Sequence, residues 1–182
     1  MPVIDDIYLG NPNLKKANVP VEFTQEQLLE YVACREDPVY FSKQHVKIVT
    51  LDHGLMPFEP YDFQEGLIKN FHENRFNICK MPRQTGKSTT CISYLLHYLL
   101  FNDSVNIGIL ANKAATAREL LGRLQTAYEN VPKWMQQGVL SWNRGSLELE
   151  NGSKILAAST SASAVRGMSF NILFLDEFAF VP

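Results

Sequence analysis

Lys87 and Ser88 are the residues best suited to hold a polyphosphate. They follow Gly86 in the run Met81-Pro82-Arg83-Gln84-Thr85-Gly86-Lys87-Ser88-Thr89-Thr90. An ammonium at Lys87 can reach β- and γ-phosphates, and the Ser88 hydroxyl can ligate a Mg²⁺ that bridges them. The usual pattern has a further glycine where Met81 stands here, and Pro82 can set φ for the turn instead. A second set of groups is Asp176-Glu177, which follows the apolar run Ile172-Leu173-Phe174-Leu175. A buried strand ending in two carboxylates delivers them where open α/β sheets bind ligands. There Asp176 would hold Mg²⁺, and Glu177 would orient and deprotonate an attacking water. Strands often end in solvated acids, so neither feature is strong alone; together they describe a nucleoside-triphosphate site. Arg83, inside the loop, either faces the γ-phosphate and stabilises developing charge or is a solvated loop arginine.

These residues need a strand, a loop and a helix to position them. The apolar run from Phe76 predicts the strand, and Ile92, Leu95, Leu96, Leu99 and Leu100 give a broad apolar helix stripe ending at Asn102-Asp103. Val105–Ala111 reads as a buried parallel strand, and residues 114–130 as an amphipathic helix with Ala117, Leu120, Leu121, Leu124 and Tyr128 on one face. Period-two alternation then predicts strands over 139–142, 146–150 and 154–158, with a hairpin turn at Asn151-Gly152. Upstream, residues 1–21 contain three prolines and no periodicity, which suggests a loosely packed arm. Thr24 with Gln27 forms a capping-box pattern, opening a helix whose apolar face is Leu28, Leu29, Val32 and Ala33 and which stops before Asp37-Pro38. Tyr40 and Phe41 sit on a further short helix, 46–51 reads as a short strand, and Leu67, Ile68 and Phe71 have helical spacing up to Asn74.

The chain has 182 residues, 46% of them hydrophobic and 20% charged, with a net charge of −2. That suits a globular α/β domain and supplies no basic signature for nucleic acid, although a local groove can still be basic. Cys34, Cys79 and Cys91 form no CxxC pair, and their odd number argues against a disulfide framework, so reduced thiols are expected. The four histidines have no ligand spacing with the cysteines, so no zinc site is expected. No signal peptide or membrane span is expected either.

An Arg-Gln-x-Gly-Lys-Ser loop lacking its first glycine, together with an apolar strand ending Asp176-Glu177-Phe178-Ala179-Phe180, resembles the large terminase subunit of tailed bacteriophages, contractile-tailed ones above all. The tracts ILANKAATARELL, Trp142 to Gly152 and AVRGMSF strengthen the resemblance, which runs from about Glu22 to Pro182. It implies a P-loop ATPase of the additional-strand, catalytic-glutamate type, with a mainly parallel sheet, flanking helices and a β-hairpin addition. The implied activity is Mg-ATP hydrolysis that drives double-stranded DNA into a procapsid. The implied partners are the portal protein and the small terminase subunit, around a homo-oligomeric ring docked on the portal in the host cytoplasm, with no membrane involved.

The resemblance also assigns Tyr61, Phe63 and Gln64 to adenine, with Gln64 reading the base edge and an aromatic ring stacking on it; read alone, Gln64 is a helix-start residue. It places Arg83, Gln84, Thr85, Gly86, Lys87, Ser88 and Thr89 around the phosphates, and Ser88 and Asp176 on magnesium. Arg166 matches an arginine offered to a neighbouring subunit's ATP, so Arg83 in cis and Arg166 in trans compete for the finger role. The family continues past the Asp-Glu strand into further strands and a nuclease domain. The expected organisation is therefore an arm and helical lead-in over 1–57 and an ATPase core over 58–182 that is incomplete at its C-terminus and works with a downstream terminase fragment. Two rivals remain: a helicase-like nucleic-acid translocase, which would usually continue Asp-Glu-Ala-His, and a non-catalytic nucleotide-binding fragment.

Overall fold

A computed structural model describes residues 6–50, 52–161 and 167–177. Its centre is a five-stranded mixed sheet in the order β6-β7-β8-β5-β9. β5 (Asn106–Ala111) lies parallel to β8 (Lys154–Ser159) on one side and to β9 (Ile172–Leu175) on the other. β6 (Val139–Trp142) and β7 (Ser146–Leu149) add an antiparallel meander beside β8. The expected mainly parallel sheet is thus evenly mixed. The short Asn151-Gly152 turn, with Gly152 at φ +79°, can only return the chain antiparallel.

α5 (Ala114–Glu129) packs on β5 and β8, burying Ala117, Leu120, Leu121, Leu124 and Tyr128 as its periodicity predicts. α4 (Lys87–Phe101) packs on α5 and on the upstream helices, and almost every residue from Thr90 onward is buried. No glycine follows α4 to cap it. Its last carbonyls are satisfied from the meander instead: Asn151 Nδ2 donates to Leu99 O and Asn102 O, Ser153 Oγ to Asn102 O, and Gln137 Nε2 to Leu100 O. The hairpin turn therefore fixes the far end of the helix whose near end carries Lys87.

The lead-in contains α1 (Gln25–Glu36), α2 (Pro38–His45), a hairpin of β3 (Lys47–Thr50) with β4 (Gly54–Pro57), and α3 (Asp62–Glu73). Thr24 and Gln27 form the predicted capping box, and Asp37 both ends α1 and accepts from Val39 N and Tyr40 N at the start of α2. The apolar face expected to bury α1 does not do so. Leu28, Leu29 and Val32 are exposed, whereas Tyr31 and Cys34 turn inward, Tyr31 edge-on to Phe101. Two aliphatic neighbours in sequence outweighed one aromatic and one thiol in the periodicity, but the large ring fills the space beside α4.

Two further expectations are corrected. The arm is not loosely packed over its described part: β1 (Ile7–Tyr8) pairs with β2 (Asn11–Lys15), and Leu14 is fully buried. The predicted strand from Phe76 pairs with none of the described strands, and Phe76 and Ile78 stand exposed. An apolar run becomes a strand only beside a neighbour that takes its N–H and C=O groups, and none of the described strands pairs with it.

The arm is held through Glu150. Its carboxylate accepts from Lys15 Nζ at 2.8 Å, Asn18 N at 2.7 Å and Gly138 N at 2.7 Å. Burial pushes this carboxyl up, but the three donors and the Lys15 charge outweigh it and hold it below the ordinary glutamate range. Such a group contributes stability above its unfolded pKa that is lost as pH falls through the lower native value. Relative to the intrinsic exchange rate at each pH, protection of the amides over residues 11–18 is therefore expected to fall as pH drops below the ordinary glutamate range, with Glu150→Gln removing most of that dependence. An unchanged profile in Glu150→Gln would refute the assignment.

Candidate functional site

Gly86 is the pivot of the loop. It sits at φ +76°, ψ 16° as the N-cap of α4, a left-handed conformation natural to glycine, and Gln84 before it is also at positive φ. The turn is closed by Thr85 Oγ1 donating to Pro82 O at 3.0 Å and Thr90 Oγ1 donating to Gly86 O at 3.0 Å. Lys87 folds back over it, its Nζ donating to Pro82 O at 3.0 Å and Met81 O at 3.3 Å. The loop thus presents the N-terminal N–H groups of a long helix and an ammonium already aimed across them, a cradle suited to phosphate. Ser88 and Thr89 follow in the first helical turn, half-buried, and Arg83 is exposed.

Gln64 braces this cradle from α3. It is 4% exposed; its Oε1 accepts from Tyr61 N at 2.9 Å, which opens α3, and its Nε2 donates to Thr85 O at 3.3 Å. The sequence reading of Gln64 as a helix-start residue describes the first bond; the second, to the loop, carries no local signal because its acceptor is a backbone carbonyl far along the chain. Tyr61 and Phe63 are both exposed, their rings stacked 5.8 Å apart at 13°. A Cβ added at Gly86 would run into Gln64 Nε2. Gly86→Ala therefore meets both a contact and a backbone penalty. It is expected to lower stability in urea by about 1–2 kcal/mol, and adding Gln64→Ala should relieve only the contact. A neutral Gly86→Ala would refute this geometry.

β9 brings the Asp176 carboxylate within the electrostatic field of Lys87. Asp176 N donates to Leu110 O at 2.8 Å, which continues the β5–β9 ladder one residue beyond the strand, and Glu177 then turns out at φ +50°. Positive φ is uncommon in a non-glycine residue and recurs where a side chain must be aimed. Burial raises the Asp176 carboxyl above its ordinary range, reinforced by the adjacent Glu177 and opposed by the charges of Lys87 and Arg123. Cys91, one turn into α4, is pushed up to about 12 by burial, then by Cys79 and Asp176, with Lys87 pulling the other way. Lys87 and Asp176, remote in sequence, thus lie within electrostatic reach of each other. Arg123 of α5, whose guanidinium also pairs with Glu119 at i,i+4, joins the same field. Arg166 lies outside the described residues.

Comparison with known proteins supplies a family and a fold. The family described as "Terminase large subunit, T4likevirus-type, N-terminal" matches residues 78–182. Tripartite terminase subunit 3 of equine herpesvirus 1, from strains Ab4p and V592 alike, is 28% identical over 133 residues, covering 69% of this chain and 17% of the relative. The crystal structure of the HK97 bacteriophage large terminase superposes with a TM-score of 0.66 at 20% identity, covering 81% of this chain and 32% of that one. The chain therefore spans about a sixth of the herpesvirus relatives and about a third of the HK97 protein. With the family match extending over more than half of its length, the chain belongs to the large terminase subunits of T4-like type and represents their N-terminal part.

Proposed function

We propose that this segment is the ATP-hydrolysing part of a viral DNA-packaging motor. The observation that carries the reading is the meeting of a phosphate-cradling helix start, Gly86-Lys87-Ser88, with a strand-end Asp176-Glu177 pair in a family of terminase large subunits. The residues fit Mg-ATP: a left-handed glycine that leaves room for phosphate, an ammonium held over the loop, and a carboxylate whose raised pKa reflects burial beside another acid, a penalty that a cation relieves. Ser88 and Asp176 would hold magnesium, which when bound neutralises phosphate charge. Gly86, Lys87 and the loop N–H groups, with Gln84, Thr85 and Thr89, bind the phosphates. Tyr61 and Phe63 offer the base a face, and Gln64 ties the adenine segment to the loop. Glu177 orients the attacking water and takes its proton, and Arg83 in cis or Arg166 in trans stabilises the charge that develops on the γ-phosphoryl group.

In this reading hydrolysis drives double-stranded DNA through the portal of a procapsid in the host cytoplasm, by a ring of large subunits working with a small terminase subunit and the rest of the large-subunit polypeptide. The herpesvirus relative is by name one subunit of a tripartite terminase, which supports work within an assembly. The test is packaging. Procapsids, DNA and a large subunit containing this segment should yield nuclease-protected DNA with ATP, and none with Glu177→Gln. Strand unwinding without procapsids would favour a helicase-like translocase instead, and ATP binding without turnover in the assembled motor would leave only a nucleotide-binding segment.

A further inference from the structure

Away from the nucleotide site, α1 and α2 bring three chemically different ligand groups together. Glu30 and Cys34 lie one turn apart on α1, and His45 ends α2. Glu30 Oε1, Cys34 Sγ and His45 Nε2 all lie within 4.8 Å of one another. Glu30 Oε1 sits 2.8 Å from His45 Nε2 and 3.5 Å from Cys34 Sγ. Ligand atoms on one tetrahedral zinc ion stand roughly 3.2–3.8 Å apart, as bond lengths of about 2.0–2.3 Å require. The three atoms therefore need only small side-chain adjustments to share an ion.

The surroundings are those of a prepared site. The second carboxylate oxygen of Glu30 accepts from Tyr40 OH at 2.9 Å, which fixes the plane of the carboxylate. His97 Nε2 bonds the Cys34 carbonyl at 2.9 Å from α4, which pins the turn that carries the thiol. Trp134 and Phe41 ring contacts hold the imidazole of His45 in place. Cys34 is wholly buried, whereas the Glu30 side chain retains 29% exposure, so water can complete a fourth position from that side. The sequence expectation of no zinc site rested on spacing, and spacing is blind to a ligand set split between two helices.

We propose that Glu30, Cys34 and His45 bind a zinc-class divalent cation that staples α1 to α2. On binding, the Cys34 thiol loses its proton to the buffer as the metal–sulfur bond forms. His45 passes its Nε2 proton to solvent and holds one on Nδ1, which frees the Nε2 lone pair, and Glu30 Oε1 gives up its two hydrogen bonds, from Cys34 and His45, to face the cation while Tyr40 stays on the other oxygen. No redox change is involved.

The test uses the 182-residue chain in a Cys79→Ser background, because Cys79 is an exposed thiol. Cobalt(II) should give a 1:1 titration with a thiolate-to-metal charge-transfer band and tetrahedral ligand-field bands, both displaced by zinc. Zinc should raise the melting temperature by at least about 3 °C. Cys34→Ser that retains the native circular dichroism should show neither effect. If Cys34→Ser fails to fold, Glu30→Gln and His45→Gln decide: a fall in metal affinity of about 10-fold or more supports the site, and unchanged affinity overturns it. The absence of any cobalt band in the parent chain, or its persistence in folded Cys34→Ser, also overturns the proposal and leaves a hydrogen-bonded triad.

Discussion

Replacing Lys87 by Ala should abolish useful ATP binding, whereas replacing Glu177 by Gln should leave binding intact and stop turnover. The two residues enter the site from different directions and at different stages. Lys87 stands at the start of α4 with its ammonium over the loop carbonyls of Met81 and Pro82, the place from which it meets bound phosphate. Charge-assisted hydrogen bonds of this kind contribute about 1.5–3 kcal/mol, so affinity should fall about 10- to 100-fold. Glu177 sits beyond β9 in a strained turn, and its amide replacement keeps the shape but cannot accept the proton of water. A loss of about 10²–10⁴ in rate is expected from removing a general base. A fluorescent ATP analogue measures the first effect and phosphate release by a large subunit containing the segment measures the second. Because Lys87 also ties the loop to itself, the variant's urea midpoint must be followed alongside. Equal ATP affinity in a folded Lys87→Ala, or normal phosphate release by Glu177→Gln, would contradict the proposed roles.

The second large effect separates the buried side of the helical layer from the side that sequence favoured. Leu96 lies fully buried on α4, the helix that packs on α5 and on the upstream helices. Leu96→Ala should cost about 2–5 kcal/mol, as removal of a well-packed leucine does. Leu29, assigned to the core by periodicity, is 66% exposed, and Leu29→Ala should change stability by no more than about 0.5 kcal/mol. Urea unfolding of the two variants at one temperature makes the comparison. If Leu29→Ala proved as costly as Leu96→Ala, the orientation of α1 described above would be wrong.

Much of the phosphate cradle was legible because its instructions are local. Glycine before Lys-Ser, with an apolar helix behind it, specifies a left-handed cap and a helix start without help from elsewhere, and Gly86 and α4 follow that rule. The same holds for the Thr24–Gln27 capping box, for Asn151-Gly152, and for α5, whose stripe was long enough to average out ambiguity. α1 failed for the opposite reason. Its apolar residues are few, they lie on two sides, and the space beside Phe101 and α4 selected Tyr31 and Cys34 rather than the leucines.

The sequence by itself determined the loop, the apolar strand that ends in Asp176-Glu177, the meander, and the family to which their combination points. Only the tertiary structure decided which parts meet. It set Asp176 within the field of Lys87 and Arg123, turned the Gln64 amide onto the loop, and anchored the arm through Glu150. It also gathered Glu30, Cys34 and His45 from two helices, and left the run from Phe76 without a partner among the described strands. The physical division is one of range. Backbone conformation and capping are set within a few residues, whereas burial, electrostatic coupling and strand pairing depend on neighbours that the chain supplies from far away.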